Sequence, residues 1–475
     1  MKTGHLLPEY SRRHLTKVEA HYEAGVTLTK AALSYRDMLA HYYNLLVPES
    51  ASVLEVGCGA GDLLERLKAT NRTGIDLSQN QTKLAKDKVP NGSFYVQAGE
   101  DLCLPDRLFD YIIVSETINF AADVQRLLEN LKSVSHEDTR LIVNLHSALW
   151  RPIIWAGTKA GLRNRHPESN WLSKEDVTAL LHLTGWELIR HEPRIVCPVK
   201  LFGIEELLNR FVAPLLSPFC LSVFTIARLP PEKRPAEKTV SVVVPARNEA
   251  GNIQAAVERT PEMGIRTELI FVEGNSKDNT WEEIQRVKQA YPEKRIKVLQ
   301  QSGKGKGNAV REGFAIAEGE LLMILDADLT MPPEELPKFY DAVVSGRCEF
   351  ANGSRLVYPM EEEAMRFLNL CANKIFSILF SWLLGQPVKD TLCGTKVLTK
   401  QSYESVVGNR SYFGEFDPFG DFDLLFGASK LNLKILDIPI RYKERAYGET
   451  NIQRWKHGWL LLQMVAFAAL KLKFV

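Results

Sequence analysis

Apolar and polar residues follow two alternating patterns along this chain. Short runs rich in valine, isoleucine and leucine, such as Ser52–Val56, Val240–Pro245 and Leu321–Leu325, predict buried strands. Longer segments with helical periodicity separate these runs. Strands that alternate with helices in this way are typical of parallel-sheet α/β domains. We therefore expect an α/β protein, in which the two halves share a class but not a repeated sequence.

A stretch rich in proline and charge, Leu229–Lys238, interrupts this alternation and predicts a stiff, solvated linker. We expect a first domain at residues 1–229, with helices before its first strand as a cap, and a linker at 230–238. A second domain is expected at 239–457, and an apolar helix at 458–475 ends the chain. The chain has 475 residues, so each domain is long enough to bury a hydrophobic core.

The first strand of the N-terminal half runs directly into a glycine-rich turn. Glu55 precedes Gly57, Gly59 and Gly61, and a helical pattern follows. Glycines let the backbone approach a ligand closely, and the N-terminus of a helix favours negative charge. The next strand ends at Asp76, where a carboxylate can accept hydrogen bonds from a ribose diol. The pattern predicts a site for a nucleoside-bearing cofactor.

This glycine pattern with its downstream acid resembles the class I S-adenosylmethionine-dependent methyltransferases, over roughly residues 45–228. The resemblance implies a Rossmann-like methyltransferase fold and S-adenosylmethionine as cofactor. It directs the three glycines to the methionine moiety and Asp76 to the ribose hydroxyls, and Glu55 belongs to the same cofactor-binding set. The family usually has an acid after the third strand to meet the adenine. Here that position is Gly99, so Glu100 or Asp101 is expected to substitute.

Methyl transfer to many acceptors needs a base, and the sequence offers only weak candidates. His146 at the end of the fifth strand and Asn119 after the fourth are the best placed. A histidine at a strand end is more often a structural residue than a base. Two interpretations of this half therefore stay open: an enzyme that methylates an unidentified acceptor, and a non-catalytic S-adenosylmethionine-binding or docking module.

Two carboxylates close a buried strand in the C-terminal half. Asp326 and Asp328 follow Leu321–Leu325, and Pro332 and Pro333 then restart the chain as a helix. Two hard oxygen ligands at a strand end suit Mg²⁺ or Mn²⁺ that also binds a diphosphate. The pair lies downstream of other strand-end motifs, which makes the signal more specific than an isolated Asp-x-Asp.

The order of these motifs over residues 239–457 resembles the family 2 glycosyltransferases, which have a GT-A fold, and within them the dolichyl- and polyprenyl-phosphate sugar synthases. The resemblance implies transfer of a hexosyl group from a nucleotide-sugar donor. Asp326 and Asp328 would engage ribose, diphosphate and metal. The residues that would line the nucleoside pocket are Pro245, Ala246, Glu249 and Glu273. Lys304 and Lys306 are expected either beside the phosphates or in a solvated loop.

The same resemblance implies a cationic set that binds the acceptor phosphate and the leaving diphosphate, and guanidinium groups suit phosphate oxygens. Arg355 and Lys396 are also expected to be catalytic. A phosphate acceptor is already ionised and needs no base, whereas a hydroxyl acceptor in glycan assembly would need one, for which Asp421 is the first choice. Both acceptors stay open. The acceptor-phosphate residues would be Arg355, Arg366, Arg441 and Arg445.

Composition and charge limit the classes of partner and the cellular compartment that we expect for this protein. The net charge of +1 gives no basic field for nucleic acid. Seven scattered cysteines, with no metal-ligating cluster and no signal-peptide core, favour a reducing cytoplasm. The apolar segments Met365–Leu384 and Trp459–Val475 carry basic, amide or tryptophan residues, which suits helices in the headgroup region of a membrane or, alternatively, core or dimer-interface helices.

The sequence therefore predicts a bifunctional enzyme. One half would transfer a sugar to polyprenyl phosphate, with metal dependence and inversion, and the other would methylate an unidentified acceptor. We expect it at the inner face of the cell membrane, as a peripheral cytoplasmic protein, and leave open whether it forms a homo-oligomer.

Overall fold

The computed structural model describes residues 8–25, 28–161, 165–167, 170–231, 237–358, 367–409, 422–443, 445, 447 and 454–475, with the backbone alone for 367–372 and 454–457. By its internal contacts the chain divides between Pro230 and Pro231 into two compact units. This division falls at the start of the proline- and charge-rich stretch, of which residues 232–236 lie outside the described part. Each unit is built around one sheet.

The N-terminal unit contains a seven-stranded sheet in the order β3-β2-β1-β4-β5-β7-β6, and β7 is antiparallel to both of its neighbours. Its strands are β1 (Ser52–Val56), β2 (Asn71–Asp76), β3 (Ser93–Val96), β4 (Phe109–Ser115), β5 (Ser135–His146), β6 (Glu187–Arg194) and β7 (Ser222–Arg228). Its helices are α1 (Glu9–Glu23), α2 (Lys30–Leu46), α3 (Asp62–Arg66), α4 (Gln79–Lys88), α5 (Val124–Leu131), α6 (Arg151–Lys159), α7 (Lys174–Leu183) and α8 (Ile204–Leu207).

Both faces of this sheet are buried, which explains why its central strands are apolar runs. Along β1, Val53 joins a core that includes Tyr43 of α2. The next residue, Leu54, joins a separate core with Leu128 of α5. Successive side chains of a strand point to opposite faces, so one apolar strand supplies both cores. The glycine turn follows at the C-terminal end of this rigid strand.

The C-terminal unit contains a second seven-stranded sheet, in the order β10-β9-β8-β11-β13-β12-β14, and β13 runs antiparallel to β11 and β12. Its strands are β8 (Thr239–Ala246), β9 (Arg266–Glu273), β10 (Arg295–Gln300), β11 (Leu321–Ile324), β12 (Phe350–Ser354), β13 (Lys396–Thr399) and β14 (Ile435–Pro439). Its helices are α9 (Ile253–Arg259), α10 (Thr280–Ala290), α11 (Lys306–Ala315), α12 (Leu336–Val344), α13 (Phe367–Leu384), α14 (Lys400–Gly408), α15 (Phe422–Lys430) and α16 (Arg454–Leu472).

Strands β8, β9 and β11 are parallel, so their carboxyl ends meet at one edge of the sheet. Ala246 and Glu273 are direct register partners at that edge. Ile324 pairs with Val243 one strand further, which places Asp326 and Asp328 just beyond the same edge. Ligands of open α/β sheets bind outside the carboxyl ends of the strands.

The two apolar helices that the sequence indicates are amphipathic. Helix α13 buries Phe380, whose ring contacts Phe422 of α15, while Ile378 is exposed. Helix α16 lies against α13 and exposes Trp459 and Leu462. Of the helices in the described ranges, none combines the length and hydropathy needed to cross a membrane.

Candidate functional sites

The glycine turn after β1 needs glycine for two different reasons. Gly57 has φ +73°, and a Cβ there would lie 2.6 Å from Cγ2 of Thr117. Gly61 has φ +77°, and a Cβ there would press against Cα of Ala85 in α4 at 3.0 Å. Side chains at either position are therefore disfavoured by both backbone strain and contact. Gly57 keeps the turn open toward the cavity beside it, whereas Gly61 permits close packing of α4.

Asp76 is tied to this turn. Its Oδ2 accepts a hydrogen bond from the backbone N–H of Gly59 at 2.8 Å, and its Oδ1 accepts one from Ser78 at 2.9 Å. Burial raises the pKa of Asp76, and the two backbone donors oppose that rise. The carboxylate is thus fixed at the carboxyl end of β2, facing the glycine turn.

A cavity of about 410 Å³ opens beside the turn within the N-terminal unit. The structure brings five of the expected cofactor residues to its wall: Glu55, Gly57, Gly59, Asp76 and Glu100. Burial raises the pKa of Glu55 to about 8. A cavity beside a glycine turn and a fixed carboxylate suits an adenosyl cofactor.

Two expected cofactor residues do not reach this wall. Gly61 packs against α4, as described above. Asp101 has a side chain that is 54% exposed and pairs with Arg126 at 2.7 Å. The short 3₁₀ turn Gly99–Asp101 directs Glu100 inward instead, where it accepts a hydrogen bond from Ala122 N–H at 2.8 Å. Of the two substitutes for the usual adenine-binding acid, Glu100 is therefore the one at the cavity.

The sequence analysis named His146 as a candidate base but missed the charged residues that surround it in the same wall. Glu116 follows β4 and contacts Nε2 of His146 at 2.9 Å and Nη2 of Arg36 at 3.3 Å. Burial alone would raise the pKa of Glu116, yet His146 and Arg36 hold it well below its usual range. The signal was available in part, because Glu116 stands directly after a parallel strand that ends at this edge. Arg36 on α2 carries no such signal.

In the C-terminal unit, cations surround the first aspartate of the pair. Lys306 Nζ lies 2.6 Å from Oδ1 of Asp326. Burial alone would raise the pKa of Asp326, but Lys306, then Lys396 and Arg355, hold it below its usual range. The structure thus gathers two of the expected catalytic cations and Lys306 beside one carboxylate. Lys304, by contrast, is exposed.

The second aspartate is held by a turn and by an arginine distant in sequence. Thr330 donates its hydroxyl to Oδ1 of Asp328 at 2.8 Å. Arg445 Nη2 contacts Oδ2 at 2.6 Å, and its Nη1 contacts Glu249 Oε1 at 3.2 Å. Arg445 therefore connects Asp328 to the expected nucleoside pocket. Burial raises the pKa of Glu249.

The remaining expected nucleoside residues lie at the ends of β8 and β9. Ala246 is buried, and Pro245 is half-buried beside it. Glu273 is buried and accepts a hydrogen bond from Ser276 N–H at 2.6 Å. Together with Glu249, these residues form one wall at the sheet edge that carries the two aspartates.

The other cationic residues expected at this site have different partners from Lys306 and Arg445. Arg355 makes a two-pronged ion pair with buried Asp390, at 2.7 and 2.9 Å. Lys396 is buried and donates to the carbonyl of Cys393. Arg441 lies 5.7 Å from the ring of Tyr358, and no contact to either aspartate is found for it in the described part. The expected residues Arg366 and Asp421 lie outside the described residues.

Two carboxylates are enough for one kind of metal site. In the described residues no group of three or more His, Cys, Asp or Glu side chains could hold an ion. Mg²⁺ commonly uses one or two protein carboxylates and completes its shell with phosphate oxygens and water. Asp326 and Asp328 fit that donor set together with a nucleoside diphosphate.

Comparison with known families gives one match in each half of the chain. A model described as a methyltransferase domain matches residues 33–191, and one described as glycosyl transferase family 2 matches residues 241–406. The chain therefore contains an N-terminal methyltransferase domain and a C-terminal family 2 glycosyltransferase domain. The predicted fold classes, Rossmann-like and GT-A, are confirmed. The methyltransferase domain implies S-adenosylmethionine as its cofactor.

Each of the two curated relatives described here matches slightly less than half of the chain. Dolichol-phosphate mannosyltransferase of Pyrococcus furiosus is 31% identical over 221 residues, which are 45% of this chain and 59% of the relative. Undecaprenyl-phosphate 4-deoxy-4-formamido-L-arabinose transferase of Edwardsiella ictaluri is 25% identical over 216 residues, 44% of this chain and 62% of the relative. The chain spans about half the length of the curated relatives it matches, between 36% and 62% for the first five.

Solved structures resemble each half. An S-adenosylmethionine-dependent methyltransferase of Thermotoga maritima aligns with a TM-score of 0.34 and 19% identity, covering 46% of this chain and 98% of its own. Glucosyl-3-phosphoglycerate synthase of Mycobacterium tuberculosis, in complex with Mn²⁺, uridine diphosphate and glucosyl-3-phosphoglycerate, aligns with a TM-score of 0.37 and 20% identity, covering 50% of this chain and 80% of its own.

Proposed function

We propose that the C-terminal domain transfers a hexosyl group from a nucleotide sugar to a polyprenyl phosphate, with inversion at the anomeric carbon. One observation carries this proposal: Asp326 lies among Lys306, Lys396 and Arg355, and Arg445 contacts Asp328. Two carboxylates suit a metal-bound diphosphate, while the cations suit a phosphate-bearing acceptor. The two relatives described above, whose names include dolichol phosphate and undecaprenyl phosphate, support the same acceptor class.

The residues divide the work as follows. Asp326 and Asp328 would hold Mg²⁺ or Mn²⁺, which offsets the charge on the departing diphosphate when it is bound. Glu249 and Glu273 face the nucleoside, and Arg445 orients Asp328. A phosphate acceptor is ionised at neutral pH, so its oxygen attacks without a general base. Arg355, fixed by Asp390, and Lys396 contribute positive charge where negative charge accumulates.

Incubation of the protein with Mg²⁺, polyprenyl phosphate and a panel of sugar nucleotides tests this proposal. We expect nucleoside diphosphate release that depends on the lipid, with sugar in the organic phase. Asp328→Asn should abolish both. Diphosphate release without a lipid product would instead favour a hydroxyl acceptor, with Asp421 as its base.

We further propose that the N-terminal domain binds S-adenosylmethionine in the cavity lined by the glycine turn and Asp76, and transfers its methyl group to an acceptor. Calorimetry with S-adenosylmethionine tests the binding, and labelled methyl transfer to a cell extract tests the reaction. Binding without transfer would favour the docking-module alternative. In this proposal the two domains occupy residues 1–229 and 239–457.

The protein is proposed to act at the cytoplasmic face of the cell membrane as a peripheral protein. The exposed apolar face of α16, with Trp459, Leu462 and Leu470, supports this location because such a face suits the headgroup region. The polyprenyl-phosphate acceptor lies in the same membrane.

A further inference from the structure

A histidine and a glutamate form a pair at the edge of the N-terminal sheet where the cofactor cavity opens. His146 is the last residue of β5, and Glu116 directly follows β4. These strands are parallel neighbours, and Ser115 pairs with Asn144 just before the pair. The His146 Nε2 and Glu116 Oε1 atoms are 2.9 Å apart. Both side chains line the cavity whose wall also contains Gly57 and Asp76.

The charge on Glu116 favours one tautomer of a neutral histidine beside it. Arg36 and His146 keep Glu116 ionised, so its carboxylate accepts hydrogen bonds and does not donate them. A neutral His146 therefore carries its proton on Nε2, the nitrogen that lies 2.9 Å from the Glu116 carboxylate. That leaves the lone pair on Nδ1, for which the described residues provide no hydrogen-bond partner. An oriented imidazole with one free lone pair is the arrangement that general bases require.

The surrounding wall indicates what enters beside this nitrogen. The ring of Tyr35 lies 5.9 Å from that of His146. The neighbouring wall is apolar and partly aromatic, and Arg36 and Glu116 already compensate one another. A neutral acceptor with a ring therefore fits this end better than a cation. The apolar wall residues are Trp150, Ile153, Ile154 and Leu221.

We propose that the N-terminal domain methylates a phenolic hydroxyl, with His146 as the general base and Glu116 as its positioning residue. This inference rests on the proposed methyl transfer from S-adenosylmethionine. The acceptor oxygen forms a bond to the methyl carbon as the carbon–sulfur bond breaks, and that electron pair stays on the sulfur. The phenolic proton moves to Nδ1 of His146, and the products are a methyl ether and S-adenosylhomocysteine.

The choice of a phenol follows from acid strength. Imidazole has an unperturbed pKa of about 6.5 and a phenol about 10, so transfer of the proton during attack is accessible. An unactivated alcohol is a much weaker acid, so transfer of its proton to imidazole is less favourable than transfer from a phenol.

The test uses the full chain, labelled S-adenosylmethionine, and 4-propylphenol and 4-methylumbelliferone as acceptors, with 4-propylaniline for comparison. We expect the two phenols to be methylated. His146→Ala should lower kcat by about 100-fold or more, keep the affinity for S-adenosylmethionine, and regain part of the activity with added imidazole. Glu116→Gln should lower kcat more than it changes KM for the phenol.

Nitrogen-15 NMR of the histidines supplies a readout independent of turnover. The wild type should show His146 protonated at Nε2, and Glu116→Gln should shift its two nitrogen resonances toward a mixture of tautomers. His191→Gln is the matched control. His191 also lies in this sheet, but it bonds to Thr178 and Thr225 and does not line the cavity.

Each contrary outcome has a separate meaning. Cofactor binding with no methylation of either phenol, or with methylation of the aniline alone, would overturn the acceptor class. Phenol methylation that survives His146→Ala would overturn the role of the base. Failure to bind S-adenosylmethionine would overturn the proposed methyl transfer itself, and this inference with it.

Discussion

Replacing Gly394 by alanine would place a methyl group against the carboxylate of Asp326. A Cβ at residue 394 would lie 2.7 Å from Cγ of Asp326 and closer still to its Oδ2 and to Lys306 Nζ. Ordinary contact begins at 3.4 Å. The carboxylate must therefore move by most of an ångström, away from the position that Lys306 now stabilises.

The expected cost falls on activity more than on stability. A displacement of about 1 Å in a reacting group costs on the order of 100-fold in rate, which corresponds to about 2.7 kcal/mol. The atoms that must yield are the ends of two flexible side chains, so unfolding should lose less than about 1 kcal/mol. We therefore expect a large loss of kcat/KM from Gly394→Ala with a nearly unchanged melting temperature.

The assay is lipid-dependent release of nucleoside diphosphate, with circular dichroism to follow unfolding. Gly408→Ala is the matched control, because a Cβ there meets no heavy atom within 4 Å. Activity of Gly394→Ala within about threefold of wild type, where a tenfold loss corresponds to ~1.4 kcal/mol, would refute the assignment of Asp326 to the reaction centre.

Four further predictions concern other parts of the chain. Asp76→Ala should weaken S-adenosylmethionine binding at least about tenfold, or ~1.4 kcal/mol, while Asp101→Ala should leave it unchanged, as measured by calorimetry. Burial would raise the pKa of Asp390, but Arg355 holds it below its usual range, so the stability it contributes is present above about pH 3.9 and lost as pH falls through the lower folded value. Urea unfolding should therefore show less loss on acidification for Asp390→Asn, which at neutral pH should already be less stable by about 3–5 kcal/mol. Trp459→Ala should reduce flotation with anionic vesicles, and unchanged flotation would contradict a membrane-facing α16. Chelation of divalent ions should abolish sugar transfer and be reversed by Mg²⁺ or Mn²⁺, whereas transfer that persists would contradict a metal at Asp326.

The fold and part of each site could be predicted from the sequence because both depend on local patterns. Strand runs, the glycine turn and the aspartate pair are local patterns, set by side-chain periodicity and by backbone conformations that only certain residues adopt. Parallel strands also bring their carboxyl ends to one edge, so Glu249, Glu273 and Asp326 could be expected to converge.

Pairs of neighbouring residues show what local sequence patterns cannot predict. Glu100 and Asp101 were equivalent in the sequence, but one turn of 3₁₀ helix points the first inward and leaves the second with Arg126. Lys304 and Lys306 were likewise equal candidates, and only Lys306 reaches Asp326. A shift of one or two residues reverses the direction of a side chain. The local sequence does not reveal which residues of other elements lie in either direction.

By itself, the sequence determined two α/β domains, a glycine turn with a following acid, and a strand that ends in two aspartates. The tertiary structure decided which charges meet. Arg445 reaches Asp328 across 117 positions of the chain and Glu249 across 196, and Arg36 of α2 joins Glu116 after β4. These pairs depend on the order in which strands cross over within each sheet. Charge pairing acts over a few ångströms in space, regardless of the distance along the chain.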